Sequence, residues 1–523
     1  MKFRWRTLLA GVTVLALTLP AEDRTVAAAT KEEVKTAAQY LGYEIPLPRM
    51  EGVSANDWVQ LLYDHLIGTN SDMKPSPEMS LARKWEMSPD GITWTFYLRT
   101  GVKFHDGVEL TAKDVKFSLE QIMLPDSKAN NSGVFRQAVK SIEVKDSYTL
   151  VIQCKRPFLF LAHFLSDIEG MDTVVIPKDY FERVGQEQFI KHPIGSGPYQ
   201  WHSQLVGSYI KLESTGKKHW RDGVPKYKYM TYLLIPEESS RIAMLRTGEA
   251  DIAMVSRESM KEVLGAGLKI IPERGAGVLC FYPNMQWTSP AFSDIRFRKA
   301  LNLAVDRDAI IKHLLLGQGV PIATLPGNAI MTCGGDPSLK PYPYNPEEAR
   351  RLIKEGGYEG HVFDVPVFDR VEFPELPRAA EAVVGYWQKI GLKPKIFLTR
   401  YDAWRDRWQA QKTQNTVMVI DTLVVPGCGA ILRNLDQKLH SKSKQTHVNL
   451  PYLDERFQKI FSSVDLGQVE KLMGEIYRYT YDQYLVVPIC DFNGMLAVTK
   501  QLPTWDLGRR RRDKNYRALI RQQ

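Results

Sequence analysis

The 523 residues contain no CxxC pair, no HExxH, no GxSxG and no GxxxxGK[ST]. The five cysteines, Cys154, Cys280, Cys333, Cys428 and Cys490, stand far apart, which excludes zinc-ribbon and thioredoxin-type sites. No i, i+4 histidine pair lies beside an acid, so no metal site of metalloprotease type is supported, and neither metal nor cofactor is expected. Gly275-Ala276-Gly277 and Gly427-Cys428-Gly429 lack the third glycine of a dinucleotide loop and read as turns. Gly195-Ser196-Gly197 lacks the elbow spacing that exposes a serine nucleophile. An excess of one sign of charge is also missing: 69 basic against 60 acidic residues give +9. The basic residues are scattered rather than gathered in an aromatic-studded stripe, so nucleic acid is not an expected partner. The one dense run, Arg509 to Arg512, reads as a solvated face.

With 44% apolar and 25% charged residues, the composition is that of a soluble globular protein. Its length suggests two to four domains. Lys2, Arg4 and Arg6 precede an uncharged run from Leu8 to Leu19 and then Ala27-Ala28-Ala29, the layout of a secretory signal peptide over residues 1–29. Twelve residues rising 1.5 Å each cannot cross a hydrocarbon core about 30 Å thick. No cysteine lies near the cut to carry a lipid anchor, so a free periplasmic protein is expected. An odd cysteine count leaves at least one thiol unpaired there.

Short helices and strands alternate along the rest of the chain. Ile92, Trp94, Phe96 and Leu98 face one way and Thr93, Thr95, Tyr97 and Arg99 the other, which predicts a half-buried strand. Thr111 and Asp114 form the pattern of a capping box before a helix through Val115, Leu119 and Ile122. A hairpin is predicted around Asp146-Ser147, a helix end at Gly248, and a strand from Asp251 to Val255. Further helices are predicted after Asp294, Asp306 and Asn345. This alternation means α/β lobes. Without nucleophile, metal cluster or phosphate loop, an exported α/β protein points to binding; an exported hydrolase with an unrecognised nucleophile is the alternative.

The order of motifs resembles the family 5 extracellular solute-binding proteins of ABC importers, the dipeptide-, oligopeptide- and nickel-binding class. Leu81 to Gly107, with its Asp90-Gly91 turn, alternating strand and Phe104-His105-Asp106-Gly107, is similar to the family signature, and Leu110 to Val115 continues it. Pro193 to Tyr199 resembles the loop returning from the inserted lobe, and Gly248 to Ile252 the family's turn into a strand. Phe292 to Leu301, Ala304 to Arg307, Asn345 to Tyr358, Asn449 with Tyr452, and Val487 to Ile489 complete the series.

The resemblance implies a type II periplasmic-binding-protein fold: two hinged lobes plus an inserted third lobe. Lobe I would comprise 30–50, 191–275 and 490–523, the insert 51–190, and the opposing lobe 276–489. It also implies a monomer that captures a small solute, peptide-like or not, and delivers it to an inner-membrane ABC permease. Peptide-binding members carry a Gly-Trp-x-x-Asp-x-x-Asp-Pro-like segment whose Asp pairs with the ligand's ammonium, since a buried ammonium without a carboxylate costs several kcal/mol. Val419 to Gly429 lacks those elements, and Asp421 alone could stand in; weak binding of unmodified di- and tripeptides is therefore expected. Four cleft residues are nominated: Tyr63, Asn284, Trp404 and Asp421. Core packing of Tyr63 and Trp404 and a turn role for Asn284 are the plain structural alternatives. On the family layout Cys280 and Cys428 fall on neighbouring parts of one lobe, where a disulfide is expected if their Cα atoms come within about 7 Å; five buried thiols are the alternative.

Overall fold

The computed structural model describes residues 31–51, 55–70, 73–129, 131–167, 173–286, 290–325, 327, 333–368, 375–410, 412–422, 428–507 and 515–521. The expected signal peptide and the Arg509–Arg512 run fall outside them. A nine-stranded mixed sheet forms the frame. One end, the near lobe, is built from Tyr199–Leu205, Tyr209–Ser214, Tyr229–Leu234, Glu33–Ala38 and Ile252–Val255. Glu33–Ala38 runs parallel to both of its neighbours, as strands reached through crossovers do.

Two long strands continue the sheet into the far lobe. Lys269–Pro283 and Val487–Val498 pair antiparallel along most of their lengths. Val417–Thr422 and Gly319–Pro321 add to their far ends. Behind them lies a parallel pair, Val362–Phe368 and Lys393–Thr399, against which helix Leu376–Lys389 packs. Side chains alternate along Lys269–Pro283: Leu279 and Phe281 enter the core around Leu301, Val365 and Trp387, while Val278, Cys280 and Tyr282 face Trp404 and Met418.

The third lobe carries its own antiparallel sheet, in the order Ala82–Met87, Thr93–Leu98, Thr149–Cys154, Val139–Asp146. Trp94, Phe96 and Leu98 point inward, as their alternation predicts. Thr111 and Asp114 form the expected capping box at the start of Ala112–Ile122. Asp294, Asp306 and Asn345 each accept a backbone N–H at the start of the helix they were expected to open. Gly248 ends helix Glu238–Thr247 in the left-handed region.

The cysteines depart from the expectation. Cys333 and Cys428 form the disulfide, with Cα atoms 5.1 Å apart, and Cys280 remains a buried reduced thiol, as do Cys154 and Cys490. The face of the strand decides it: Cys280 points into the Trp404–Met418 core, whereas Cys428 opens helix Cys428–Leu439, whose inner face enters the large core shared with Cys333.

Candidate functional site

The two long strands are the hinge. Lys269–Glu273 pairs with Val498–Gly494 in the near lobe, the register then shifts, and Gly277–Leu279 pairs with Phe492–Cys490 in the far lobe. Gly275 supplies the positive φ of 68° at the break, a conformation that side chains other than glycine's adopt at a cost. Gly277 lies against the Phe492 ring and has no room for a Cβ. The register shifts again between Leu279 and Cys280, and a strand bends where its ladder is interrupted in this way.

Away from the hinge the third lobe touches the far lobe. Helix Leu161–Phe164 packs on helix Cys428–Leu439, with Phe160 and Phe164 against Gly429. Arg433 donates to Asn131 Oδ1 at 3.0 Å. The lobes are therefore together in this structure, and one apolar core runs across the contact.

Beside the far end of the first hinge strand stands an aromatic box. The His447 ring stacks on Tyr282 at 4.8 Å and meets Trp408 at 4.7 Å. Lys438 Nζ lies 4.8 Å from the Tyr282 ring centre, within cation–π range. Burial, reinforced by the Lys438 charge, pushes the His447 pKa well below its ordinary value, so the imidazole is neutral, with one donor and one acceptor nitrogen. Neither ring nitrogen of His447, nor Trp408 Nε1, has a hydrogen-bond partner among the described residues. Sequence reasoning did not find this box, because its members lie on four separate segments and share no spacing.

The nominated residues are placed as follows. Tyr63 is fully buried in the near-lobe core and donates its hydroxyl to the Pro46 carbonyl at 2.6 Å. Asn284 donates its amide to Thr413 O and Oγ1, both at 2.9 Å, and its Oδ1 accepts from Gln286 N. Trp404 is buried against Phe368 and Phe397, its Nε1 directed at Met418 Sδ. Asp421 pairs with Leu279 through the backbone; its side chain lies outside the described residues. Asn284 and Trp404 thus flank the strand that bears Tyr282, while Tyr63 belongs to a different core.

Serine, histidine and aspartate do meet in the near lobe, but not as a nucleophile and its base. Asp64 is fully buried, and its Oδ2 accepts from Ser196 Oγ, His219 Nε2 and Trp220 Nε1, each at 3.0 Å. Ser196 therefore bonds to the carboxylate and not to the imidazole, whereas an activated serine needs the imidazole on its hydroxyl. Arg517 bridges Asp64 and Asp222, and Arg521 bonds Asp222 at 2.8 Å. Burial alone would raise the Asp64 pKa, but His219 and Arg517 outweigh it and hold the carboxyl far below the usual range. For His219, burial opposes protonation, yet Asp64 and Asp222 keep its pKa above the ordinary value. Cys333, Cys428 and Glu470 come close together, but the disulfide removes the thiolates that a metal would need. A polar cavity of about 250 Å³ between residues 101–107 and 215–220 is lined by no residue of the hinge strands.

The motifs that carried the resemblance have a structural explanation. Half-buried His105 accepts from Gly195 N at 3.1 Å and bonds Gly197 O at 3.0 Å, so the Phe-His-Asp-Gly turn holds the Gly-Ser-Gly loop. Gly195 and Gly197 press on the Leu61 and Leu62 carbonyls, where a Cβ has no room.

Comparison with known proteins agrees with this architecture. The model of the bacterial extracellular solute-binding proteins, family 5 (middle region), matches residues 76–424. The glutathione-binding protein GsiB of Salmonella choleraesuis (strain SC-B67) is 31% identical over 334 residues, 64% of this chain and 63% of that protein. The match thus spans under two thirds of the length of these curated relatives. HbpA2 from Haemophilus parasuis superposes with a TM-score of 0.78 at 19% identity, covering 91% of this chain and 97% of that one. NikA from Brucella suis in complex with Fe(III)-EDTA superposes with a TM-score of 0.77 at 20% identity, covering 94% and 100%. The fold is that of the type II periplasmic binding proteins. No helix among the described residues is long and apolar enough to cross a membrane.

Proposed function

Because the chain belongs to the bacterial extracellular solute-binding proteins of family 5, we propose that it captures a small solute between its lobes in the periplasm and presents it, as a monomer, to an inner-membrane ABC permease. The reading is supported by the pair of strands that cross between lobes and shift register between Glu273 and Gly277 and again between Leu279 and Cys280, since such a hinge lets two walls close on a ligand without separating. We assign lobe I to 30–50, 191–275 and 490–523, the insert to 51–190 and the opposing lobe to 276–489, with Trp58 to Asp64 at the start of the insert packed onto lobe I and Cys490–Phe492 paired with the opposing lobe. Trp408 and His447 are the polar anchors of the solute, with the Tyr282 ring stacked on His447 and Asn284, Trp404 and Asp421 around them. A buried donor or acceptor left unmet costs about 1–3 kcal/mol, which a bound solute recovers.

Ligand-induced thermal stabilisation tests this reading. The panel contains glutathione, which the relative named above binds, together with di- and tripeptides, opines, metal chelates and oligosaccharides. A solute at 100 times its Kd is expected to stabilise the fold by about 2.7 kcal/mol. His447→Phe, which keeps the ring stack but removes both nitrogens, is expected to weaken that solute roughly tenfold with little change in the unliganded melting temperature. Conversion of any solute to product by the purified protein would favour the hydrolase alternative instead. Equal affinity in the variant would remove His447 from the site.

A further inference from the structure

The polar cavity between residues 101–107 and 215–220 lies where the third lobe meets the near lobe. Its walls are two turns fastened to one segment. On the third-lobe side, His105 N donates to the Gly195 carbonyl at 2.9 Å, and the His105 ring bonds Gly195 N and Gly197 O. On the near-lobe side, Thr215 N donates to the Pro198 carbonyl at 3.2 Å, and Ser214 Oγ accepts from Gly216 N at 3.1 Å. The first turn carries Lys103 and the second Lys217 and Lys218, and all three line the cavity. They are exposed, and none of their ammonium groups forms an ion pair or hydrogen bond among the described residues. No aspartate or glutamate among those residues lines the cavity. Glu109, the backbone partner of Lys103, accepts instead from Gly101 N and the Tyr148 hydroxyl.

The floor supplies no spare negative charge. Ser196 and His219, which also line the cavity, belong to the buried network around Asp64 and Asp222. There His219, Arg221, Arg517 and Arg521 surround the two carboxylates, and Asp167 adds its attraction on Arg221. Arg99 and Arg221 lie 4.9 and 5.5 Å from the ring centre of Trp220, another lining residue. The buried carboxylates are thus committed to interior cations, and the lysines at the mouth have no countercharge. A concave site lined by one sign of charge focuses its field and draws the opposite ion into it. At about 250 Å³ the cavity is smaller than the roughly 300–1,000 Å³ of pockets that enclose drug-sized molecules, so a small ion suits it. We propose that it is a second binding site, separate from the interlobe cleft, for a small multivalent oxyanion such as phosphate, held by Lys103 from the third lobe and by Lys217 and Lys218 from the near lobe. A multivalent ion answers several of these charges at once, where chloride answers one. Once bound, it ties the third lobe to the near lobe. The site depends neither on the solute nor on the position of the far lobe.

Titration calorimetry of the purified protein with inorganic phosphate, at an ionic strength held constant with sodium chloride, tests the site. One saturable phosphate per chain is expected, displaced by sulfate but not by the chloride already present. Lys103→Gln, Lys217→Gln and Lys218→Gln are each expected to weaken it about fivefold, the upper end for an exposed charge pair, and the triple substitution to abolish saturation. Lys140→Gln, an exposed lysine on the strand Val139–Asp146, is expected to bind phosphate as wild type does. His447→Phe is expected to do the same, because the cavity lies apart from the aromatic box. Circular dichroism checks that the lysine variants, all altered at exposed positions, keep the wild-type fold. Absence of saturable binding at constant ionic strength would overturn the proposal. So would a triple variant that binds as wild type, which would mean an adventitious ion only, or loss of phosphate binding in His447→Phe, which would place the ion in the cleft. The solute screen is read separately, so either proposal can fail while the other stands.

Discussion

Asp222 illustrates how the near lobe carries charge in its interior. It is fully enclosed with Arg517 and Arg521 on its oxygens, and His219 Nδ1 lies 3.2 Å away. Burial alone would raise its pKa, but Arg221, Arg517 and His219 overcome that and depress it strongly. Asp222→Asn leaves these cations short of a carboxylate and is expected to cost about 3–5 kcal/mol in chemical unfolding. The histidines set the pH dependence. Burial pushes His65, His105 and His163 down to about 4. Between the ordinary value of about 6.5 and pH 4 the unfolded chain takes up protons at these rings and the folded chain does not, so stability falls as the pH drops through that window. The expected loss is on the order of 1 kcal/mol per histidine by pH 5. His219 acts in the opposite sense, its contribution being full in acid and lost as the pH rises through its elevated folded value. Asp64 and Asp222 add to the acid loss only below about pH 4. A melting temperature that stays flat from pH 6.5 to 4 would contradict this account.

At the scale of elements, helix starts are set locally and long-range links are not. Thr111 with Asp114, Asp294, Asp306 and Asn345 each satisfy amides within three residues, so their helices begin where those residues stand. The Cys333–Cys428 bridge instead joins positions 95 apart, fastening a turn to the first residue of helix Cys428–Leu439. On the chain-entropy model, closing such a loop stabilises by about 4–5 kcal/mol. Cys333→Ser is expected to lose most of that in denaturant titration. Peptide mapping without reduction is expected to recover the 333–428 link, with Cys280 alkylated once the protein is unfolded. Recovery of a Cys280–Cys428 peptide would show that the bridge had been assigned wrongly.

At the scale of the whole molecule, the near and far lobes have no separable boundary. Both depend on Lys269–Pro283 and Val487–Val498, so unfolding one lobe removes the ladder partners of the other. Differential scanning calorimetry is expected to show one cooperative transition, although chains of several domains commonly show more. Two resolved transitions would mean that the lobes melt independently and that the shared strands transmit little.

The α/β class, the turns, the caps and the family were legible along the chain, because each rests on residues a few positions apart or on the order of motifs. Alternation from Ile92 to Arg99 is a local consequence of the two-residue strand period, and it reappears as buried Trp94, Phe96 and Leu98. Tertiary structure alone decided which face of Lys269–Pro283 carries Cys280, which cysteine reaches Cys428, and how His447 comes to stack on Tyr282. Such contacts depend on which crossover returns each strand to the sheet, and the spacing of residues along the chain does not specify that path.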